Sequence, residues 1–599
     1  MRTDVDRDGR IDGADADCQL AGTQFRFWYN ADTDKGDYVG QLSDVRPNWE
    51  QDPLLATVKG KLDLVNLFPV FIDVSEFRQA WGSAATFHLR CSSGNLRYCS
   101  LSDVTSALAC TIQTSPVQTS DRESLESAVL HSLDYGGTNL TEVLTSGRPT
   151  MMLAFMAGGP VEAGCGPEIV VSLGDAEVFR YRLPLQITSV DEMYRFGDLR
   201  PAAENPWFTP TVPGMPPNLP DGGRGVDVFF THGFNVSEPD ARKWGRILFK
   251  RFWLSGFNAR LHMLTWEGNY SWTGNWANGL HYQHDAWYAQ RTAGALRRYV
   301  EAAQPDSSKR ILMTQSLGNM VACEALREGL QVGKYFMFDA AVPSEAVDGT
   351  LQDADTATRM KYVPSTWQDY ANACWAANWF KWFKDDPNDA RGKIGWPNRF
   401  ASALANATEV YNYYSSGDDV FKELATVPSM LDGVTESLEM YCWQKQETLK
   451  GASVAAGTAY GGWGFHEWVS GFNPDNYVPT NAHYTVEQAD AMVADGSVTN
   501  TPVFNRGFEP MFDRNAALDD QRLALAKYVP AVSSAVGGME VSAIRNNTNM
   551  NLNDEDGGVP RPNRWGRGSP DWHHSDMKDM AYFYVYKLYE QLIQKGNLK

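Results

Sequence analysis

The segment Ile311-Leu312-Met313-Thr314-Gln315-Ser316-Leu317-Gly318-Asn319 decides the fold that this sequence predicts. An apolar, strand-like run leads into Thr314, and the apolar spacing after Gly318 is typical of a helix. A strand, a sharp turn and a helix in this order hold the hydroxyl of the turn serine outward at the carboxyl end of a sheet. Ser316 is therefore the leading candidate for a nucleophile.

Strand-like runs flank this turn on both sides. Residues 226–231 and 261–266 precede it, a helix is predicted over 283–303, and further strands are predicted over 335–339 and 409–414. Strands that alternate with helices predict a doubly wound α/β domain with a parallel sheet.

A serine nucleophile on such a sheet requires an acid after a later strand and then a histidine. The loop after 409–414 offers Asp418 and Asp419 as the acid. Four histidines follow this loop, and two of them, His573 and His574, directly precede a predicted C-terminal helix. Adjacent side chains tend to point apart, so only one of these two is expected to reach the serine.

Residues 224–599 resemble the α/β-hydrolase superfamily, particularly bacterial serine hydrolases with a His-Gly-Phe-Asn-Val-Ser loop, here residues 232–237. Thr314 departs from the family's Gly-x-Ser-x-Gly pattern, because it stands where the first glycine is usual. The resemblance implies a catalytic triad, with Asp418 favoured over Asp419 and His574 over His573, and an oxyanion hole. The implied residues are Ser316, Asp418 and His574 for the triad and the backbone N–H groups of Phe234 and Leu317 for the oxyanion hole.

The function expected from these residues is that of a serine carboxylesterase or lipase-like hydrolase. Lipids and polyesters are among the candidate ester substrates. A peptidase or amidase would use the same triad, since the motif does not encode the leaving group. The third hypothesis is a calcium-stabilised surface or adhesion protein whose hydrolase fold has lost activity.

The first residues form a calcium-loop pattern. Aspartates stand at loop positions 1, 3, 5, 9 and 12, and a glycine stands at position 6, where the turn is sharp. The last ligand is an aspartate rather than the usual glutamate, which resembles dockerin-type and extracellular repeats. The predicted calcium ligands are Asp4, Asp6, Asp8, the carbonyl of Arg10, Asp12 and Asp15.

The chain divides into four predicted parts. Residues 1–20 are the calcium loop, 21–200 a β-rich, sandwich-like domain, 201–225 a Pro/Gly linker, and 226–599 the catalytic domain. Two insertions are predicted in the catalytic domain. They are a Trp-rich lid at about 341–402 and a second insertion at about 451–564.

The net charge and the cysteines limit which binding partners and which cellular location we expect. The net charge of −20 over 599 residues disfavours nucleic acid as a main partner, and no stretch is long and apolar enough to span a membrane. Cys91 and Cys99 flank a turn and are a candidate disulfide. The calcium loop and these cysteines predict a secreted or cell-surface protein. The sequence shows no signal-peptide pattern, and we interpret it as a segment of a longer precursor.

Overall fold

The computed structural model describes residues 1–7, 10–29, 64–101, 129–214, 225–269, 282–351, 398–418, 535–544, 549–555, 572, 574–579 and 582–599. The strands are β1 (Phe25–Trp28), β2 (Leu67–Asp73), β3 (Ala85–Cys91), β4 (Leu96–Leu101), β5 (His131–Leu133), β6 (Thr138–Asn139), β7 (Thr150–Ala157), β8 (Pro167–Leu173), β9 (Ala176–Arg182), β10 (Leu185–Thr188), β11 (Arg195–Asp198), β12 (Asp227–Thr231), β13 (Arg260–Thr265), β14 (Arg310–Gln315), β15 (Val332–Phe338), β16 (Ala407–Tyr414) and β17 (Asn549–Asn551).

The helices lie mainly in the second half of the described chain. They are α1 (Gly13–Leu20), α2 (Ser75–Trp81), α3 (Glu238–Leu254), α4 (Tyr282–Ala303), α5 (Gly318–Arg327), α6 (Ser344–Val347), α7 (Leu552–Glu555), α8 (Asp576–Asp579) and α9 (Tyr582–Gly596). None of these helices combines the length and the apolar character needed to cross a lipid bilayer.

A seven-stranded sheet forms the centre of the second half, in the order β11-β13-β12-β14-β15-β16-β17, and every neighbouring pair is parallel. All five residues of β12 and all six of β14 are buried, as a parallel sheet covered on both faces requires. The predicted α/β class is therefore confirmed. The strand order reverses at β12, because the chain moves first to β13 and then to β14 on the opposite side. In open α/β sheets, ligands bind outside the carboxyl ends of the strands at such a point.

The two faces of this sheet carry different helices. Phe230 and Met313 pack in one apolar cluster together with residues of α3 and α9. Their chain neighbours Phe229 and Leu312 pack in a second cluster with residues of α4 and α5. Because side chains alternate along a strand, the sheet is a middle layer between two layers of helices.

The first half contains two four-stranded antiparallel sheets, in the orders β2-β7-β4-β5 and β6-β3-β8-β9. The buried residues of β3 alternate with partly exposed ones, as they do in a strand with one face in the core. Inward-facing side chains of both sheets, among them Phe87 and Phe155, belong to the same apolar cluster as α3 and α9.

Some strands differ from the sequence prediction. β1 lies in the range predicted as sandwich-like, an architecture of antiparallel sheets, but it pairs in parallel with β10 in a separate two-stranded sheet. β11 lies within the range predicted as the β-rich domain and β17 within the predicted second insertion, yet both belong to the parallel sheet. Strands of four and three residues are too short for hydrophobic periodicity to reveal their partners.

The proposed Cys91–Cys99 disulfide is wrong, since both cysteines are free. Cys91 ends β3 and Cys99 lies in β4, and these strands belong to different sheets. The Cys91 thiol donates instead to the backbone oxygen of Cys165 at 3.2 Å. The turn between the two cysteines therefore connects the two sheets and does not form a hairpin.

Candidate active site

The turn after β14 holds Ser316 in a strained backbone conformation. Ser316 has a φ of 52°, in the left-handed region that non-glycine residues rarely adopt. Its N–H donates to the carbonyl of Phe338 on β15 at 2.9 Å, and its carbonyl accepts from Ala341 N–H at 3.2 Å. These bonds to the neighbouring strand and its loop fix the serine at the carboxyl end of the sheet, where the sequence pattern placed it.

Asn319 is the centre of the turn and was not identified from sequence as a site residue. Its buried side-chain Nδ2 donates to three backbone carbonyls, those of Thr314 (3.1 Å), Ser316 (3.0 Å) and Phe338 (3.3 Å). The Asn319 Oδ1 accepts from the Thr314 hydroxyl at 2.5 Å and from the Tyr335 hydroxyl at 2.9 Å. Thr314, which stands where the Gly-x-Ser-x-Gly pattern has its first glycine, therefore orients this asparagine.

Close backbone approach explains Gly318. A Cβ at this position would lie 2.4 Å from the carbonyl oxygen of His232 and 2.7 Å from that of Thr231. Only a glycine lets the start of α5 pack against the end of β12 at this distance. The turn that carries Ser316 and the His-Gly loop are thereby brought together.

The structure brings Ser316, His574 and Asp418 into one hydrogen-bonded chain. His574 Nε2 lies 2.7 Å from Ser316 Oγ, and His574 Nδ1 lies 2.8 Å from Asp418 Oδ2. Asp418 is fully buried after β16, whereas His574 and Ser316 are 9% and 4% exposed. With the proton on Nδ1 donated to Asp418, Nε2 is free to accept the serine proton, which is the geometry that nucleophilic catalysis needs.

Hydrogen bonds from three other parts of the chain hold the segment that carries His574. Gln315 Nε2 donates to the carbonyl of His574 at 2.9 Å, and the Ser415 hydroxyl donates to the carbonyl of Trp572 at 2.8 Å. The indole Nε1 of the fully buried Trp572 donates to Asp339 Oδ2 at 3.2 Å. No sequence pattern indicates these contacts, because their partners lie far apart along the chain.

The His-Gly loop after β12 lies directly beside the serine. A Cβ at Gly233 would come within 2.6 Å of Ser316 Cβ and 3.1 Å of its Oγ. Leu317, the N-cap residue of α5, directly follows Ser316 in the chain, and Phe234 directly follows Gly233 in this loop. Their predicted role as oxyanion donors is compatible with this placement and stays a prediction.

His232 supports the loop as a neutral imidazole. Its Nδ1 donates to the carbonyl of Gly233 at 2.9 Å, and its Nε2 accepts from the Thr265 hydroxyl at 3.1 Å and from the Trp266 N–H at 3.3 Å. These partners fit the neutral imidazole. Complete burial lowers its pKa from 6.5 to about 4, which keeps the ring uncharged.

The N-terminal loop brings together part of the predicted calcium site. Carboxylate oxygens of Asp4, Asp6 and Asp15 all lie within 4.8 Å of one another. Calcium–oxygen distances of about 2.3–2.6 Å allow two ligands of one ion to be up to about 5 Å apart, so this set fits the ion. Asp12 caps α1 by accepting from Ala14 N–H at 2.8 Å.

Asp15 also organises the loop backbone. Its Oδ1 accepts from Val5 N–H at 2.6 Å and its Oδ2 from Asp12 N–H at 2.9 Å. A carboxylate oxygen has more than one acceptor direction, so these bonds leave room for a cation. Arg10 lies in the described part of this loop, and its carbonyl stays a predicted ligand.

Several predicted residues lie outside the described part of the chain. Asp8 of the calcium loop, Asp419 and His573 as triad alternatives, and the tryptophans of the predicted lid fall in ranges that the structure does not describe.

The chain was compared with known proteins, and it matches no protein-family model, no curated protein and no solved structure. The function of the protein is therefore inferred from the geometry of Ser316, His574 and Asp418.

Proposed function

We propose that the protein is a serine hydrolase that cleaves carboxylic esters through Ser316, His574 and Asp418. The observation that carries this proposal is the continuous hydrogen-bonded chain, with contacts of 2.7 Å and 2.8 Å, on a serine whose backbone is left-handed. Strain of this kind costs on the order of 1–3 kcal/mol and is concentrated at functional sites. A serine without a functional role in a strand-to-helix turn does not require this backbone strain.

The order of the site residues on the sheet supports an α/β-hydrolase fold for the second half. The nucleophile follows β14, the acid follows β16, and the histidine follows β17, so all three stand beyond carboxyl ends of parallel strands. This is the chain order Ser, Asp, His of that fold. We assign the two antiparallel sheets of the first half, which share one core, to a sandwich-like domain.

The reaction begins with proton transfer. His574 Nε2 takes the proton of Ser316 Oγ as this oxygen attacks the carbonyl carbon of the ester, and Asp418 stabilises the imidazolium that forms. The imidazolium then gives its proton to the leaving alcohol oxygen, which leaves an acyl-enzyme. Water activated by the same histidine releases the acid. Backbone N–H groups of Leu317 and Phe234 stabilise the oxyanion, and each such donor contributes roughly 3 kcal/mol.

The test is hydrolysis of short-chain and long-chain p-nitrophenyl esters, together with labelling by a fluorophosphonate probe. The wild type is expected to be active and labelled, and Ser316→Ala to lose both by a factor of about 10⁴ or more. The matched control is Ser255→Ala. Ser255 is the C-cap residue of α3, and its hydroxyl forms a hydrogen bond with Tyr582 and not with the residues of the candidate site. This variant should keep its activity.

Each outcome separates the competing functions. Hydrolysis of anilides at rates similar to esters would support the amidase, and a preference for long acyl chains would support a lipid or polyester substrate. A wild type that neither hydrolyses any of these substrates nor reacts with the probe would contradict the proposal and favour an inactive surface protein.

We also propose that the N-terminal loop binds calcium as a structural ion, with Asp4, Asp6 and Asp15 as its core ligands. Three carboxylates within 4.8 Å repel one another, and a divalent cation removes that repulsion. Such a site is typical of extracellular proteins, in agreement with the secreted or cell-surface location that we expect.

Calcium binding is measured by calorimetry and by thermal unfolding in calcium and in chelator. Ligand at about 100 times its dissociation constant would stabilise the fold by about 2.7 kcal/mol. Asp15→Asn should abolish this gain, whereas Asp175→Asn, in an exposed turn, should keep it. An unfolding temperature that does not respond to calcium in the wild type argues against the site.

A further inference from the structure

A cavity of about 340 Å³ lies between helices α4 and α5, away from Ser316. Its volume is in the range of small-molecule sites, about 300–1,000 Å³. The wall comes from the second half of α4, the C-terminal end of α5 and the turn at 398–400. Ser316 lies at the opposite end of α5, about 16 Å from Arg327 at the helical rise of 1.5 Å per residue.

The wall of this cavity is positively charged in a strongly acidic chain. Five arginines and two glutamates line it, a formal excess of three positive charges, whereas the whole chain carries −20. The arginines are Arg291, Arg297, Arg298, Arg327 and Arg399.

Two of these arginines share one carboxylate. Glu324 is buried and forms ion pairs with Arg327 and with Arg399, the latter at 3.1 Å. This ion-paired group closes one side of the cavity and fixes two guanidinium planes against it. One carboxylate cannot balance both guanidinium charges.

Arg298 is held by backbone carbonyls. Its Nε donates to Phe208 at 3.1 Å and its Nη2 to Pro206 at 2.7 Å. Carbonyl groups satisfy these donors but carry no net charge. Glu328, the second carboxylate of the wall, interacts electrostatically with Arg297 and Arg298 and offsets part of their charge. The Arg298 guanidinium is rigid because three separate hydrogen bonds hold it.

Arg297 has a buried donor without an acceptor. Within the described residues, its Nε has no hydrogen-bond partner although the atom is inaccessible to solvent. A buried N–H of a charged group is almost always paired in native proteins. Arg297 also lines the cavity, where an anion would offset the formal excess of three positive charges.

We propose that this cavity binds a small organic anion that carries carboxylate or phosphate groups. Planar guanidinium groups recognise both chemistries through paired N–H donors, and arginine is the residue best suited to them. Arg297 makes the direct contact, and Arg298 adds charge from a fixed position. The site is independent of the proposed hydrolase reaction.

The experiment is calorimetric titration of the full chain with succinate and with glucose 6-phosphate at low ionic strength. Both probes bind calcium weakly and neither carries a carboxylic ester, so neither the N-terminal loop nor the proposed activity interferes. The wild type is expected to bind one molecule, and the preferred probe distinguishes carboxylate from phosphate recognition. Added salt should weaken binding, since it screens the charges.

Variants show whether binding occurs in the cavity. Arg297→Gln, which breaks no hydrogen bond of the described structure, should weaken binding about tenfold, and Arg297→Glu should abolish it. Arg180→Gln, at an exposed pair with Glu177, and Ser316→Ala should bind like the wild type. Absence of binding by the wild type, or equal binding by the Arg297 variants and Arg180→Gln, would overturn the proposal.

Discussion

Asn319 shows how much of the candidate site depends on a single side chain. Ser316 could be predicted from sequence because a strand, a turn and a helix are encoded locally. Asn319 could not, since its importance lies in carbonyls of the turn and of β15 that only the folded sheet brings together. Its one local signal is its position three residues after the serine, at the start of α5.

Replacing Asn319 with alanine should therefore damage both stability and catalysis. The change leaves buried carbonyls without their donor, at about 1–3 kcal/mol, and releases the strained Ser316. We expect a lower urea midpoint and a much lower kcat. The control is Asn95→Ala, whose side chain donates to Pro160 at an exposed site and whose loss should change the free energy of unfolding by about 0.5 kcal/mol or less. Equal effects of the two variants would contradict the role of Asn319.

The burial of His232 predicts a pH dependence. Its folded pKa of about 4 lies below its ordinary value of 6.5, so the unfolded chain binds a proton in this interval that the folded chain does not. The free energy of unfolding should then fall as pH drops from 6.5 to 4, by about 1.4 kcal/mol per unit for this group. Urea unfolding of His232→Gln should show a smaller slope than the wild type. The exposed His131→Gln should show an unchanged slope, and no difference between the two variants would refute the assignment.

The segment that carries His574, directly before α8, completes the candidate site. Chain order left His573 and His574 as candidates, and the sequence could not show that Gln315, one residue before Ser316, donates to the His574 carbonyl at 2.9 Å. The two residues of this contact are 259 positions apart. Likewise, the three residues of β17 carry no periodicity, although this strand leads the chain towards His574.

Gln315 should act as a positioning residue. Gln315→Met keeps the length of the side chain but loses the Nε2 donor to the His574 carbonyl. We therefore expect His574 to shift relative to Ser316. Small misplacements of reacting groups cost up to about 100-fold in rate, and we expect kcat to fall by about 10-fold to 100-fold while KM changes little. The measurement is the kcat and KM of ester hydrolysis, with the rate of fluorophosphonate labelling as a second readout. Gln304→Met, at the opposite end of the sheet beside Asp227, is the comparison; it should lower stability and leave kcat unchanged.

At the scale of the whole molecule, the two halves share one core. Trp28 of β1 is fully buried and meets α3 side chains edge-on, with ring centroids 6.5 Å from Phe249 and 6.4 Å from Trp253. On the other side of this junction, Arg7 of the N-terminal loop lies 4.0 Å above the Trp253 ring and donates to Asn258. The sequence predicted two domains joined by a linker because composition changes there; it could not show that aromatic side chains from both halves interlock.

This shared core predicts that both halves unfold together. Trp28→Ala removes a fully buried aromatic side chain, at about 3–5 kcal/mol, and the loss should destabilise β14 as much as β8. Hydrogen exchange of peptides from these two strands in increasing urea gives an opening free energy for each. We expect both values to fall by the same amount in Trp28→Ala and neither to change in Trp207→Ala, since Trp207 is 67% exposed. A drop confined to β8 would mean that the antiparallel sheets open alone, and the parallel sheet with its Ser316 site would then be an independent folding unit.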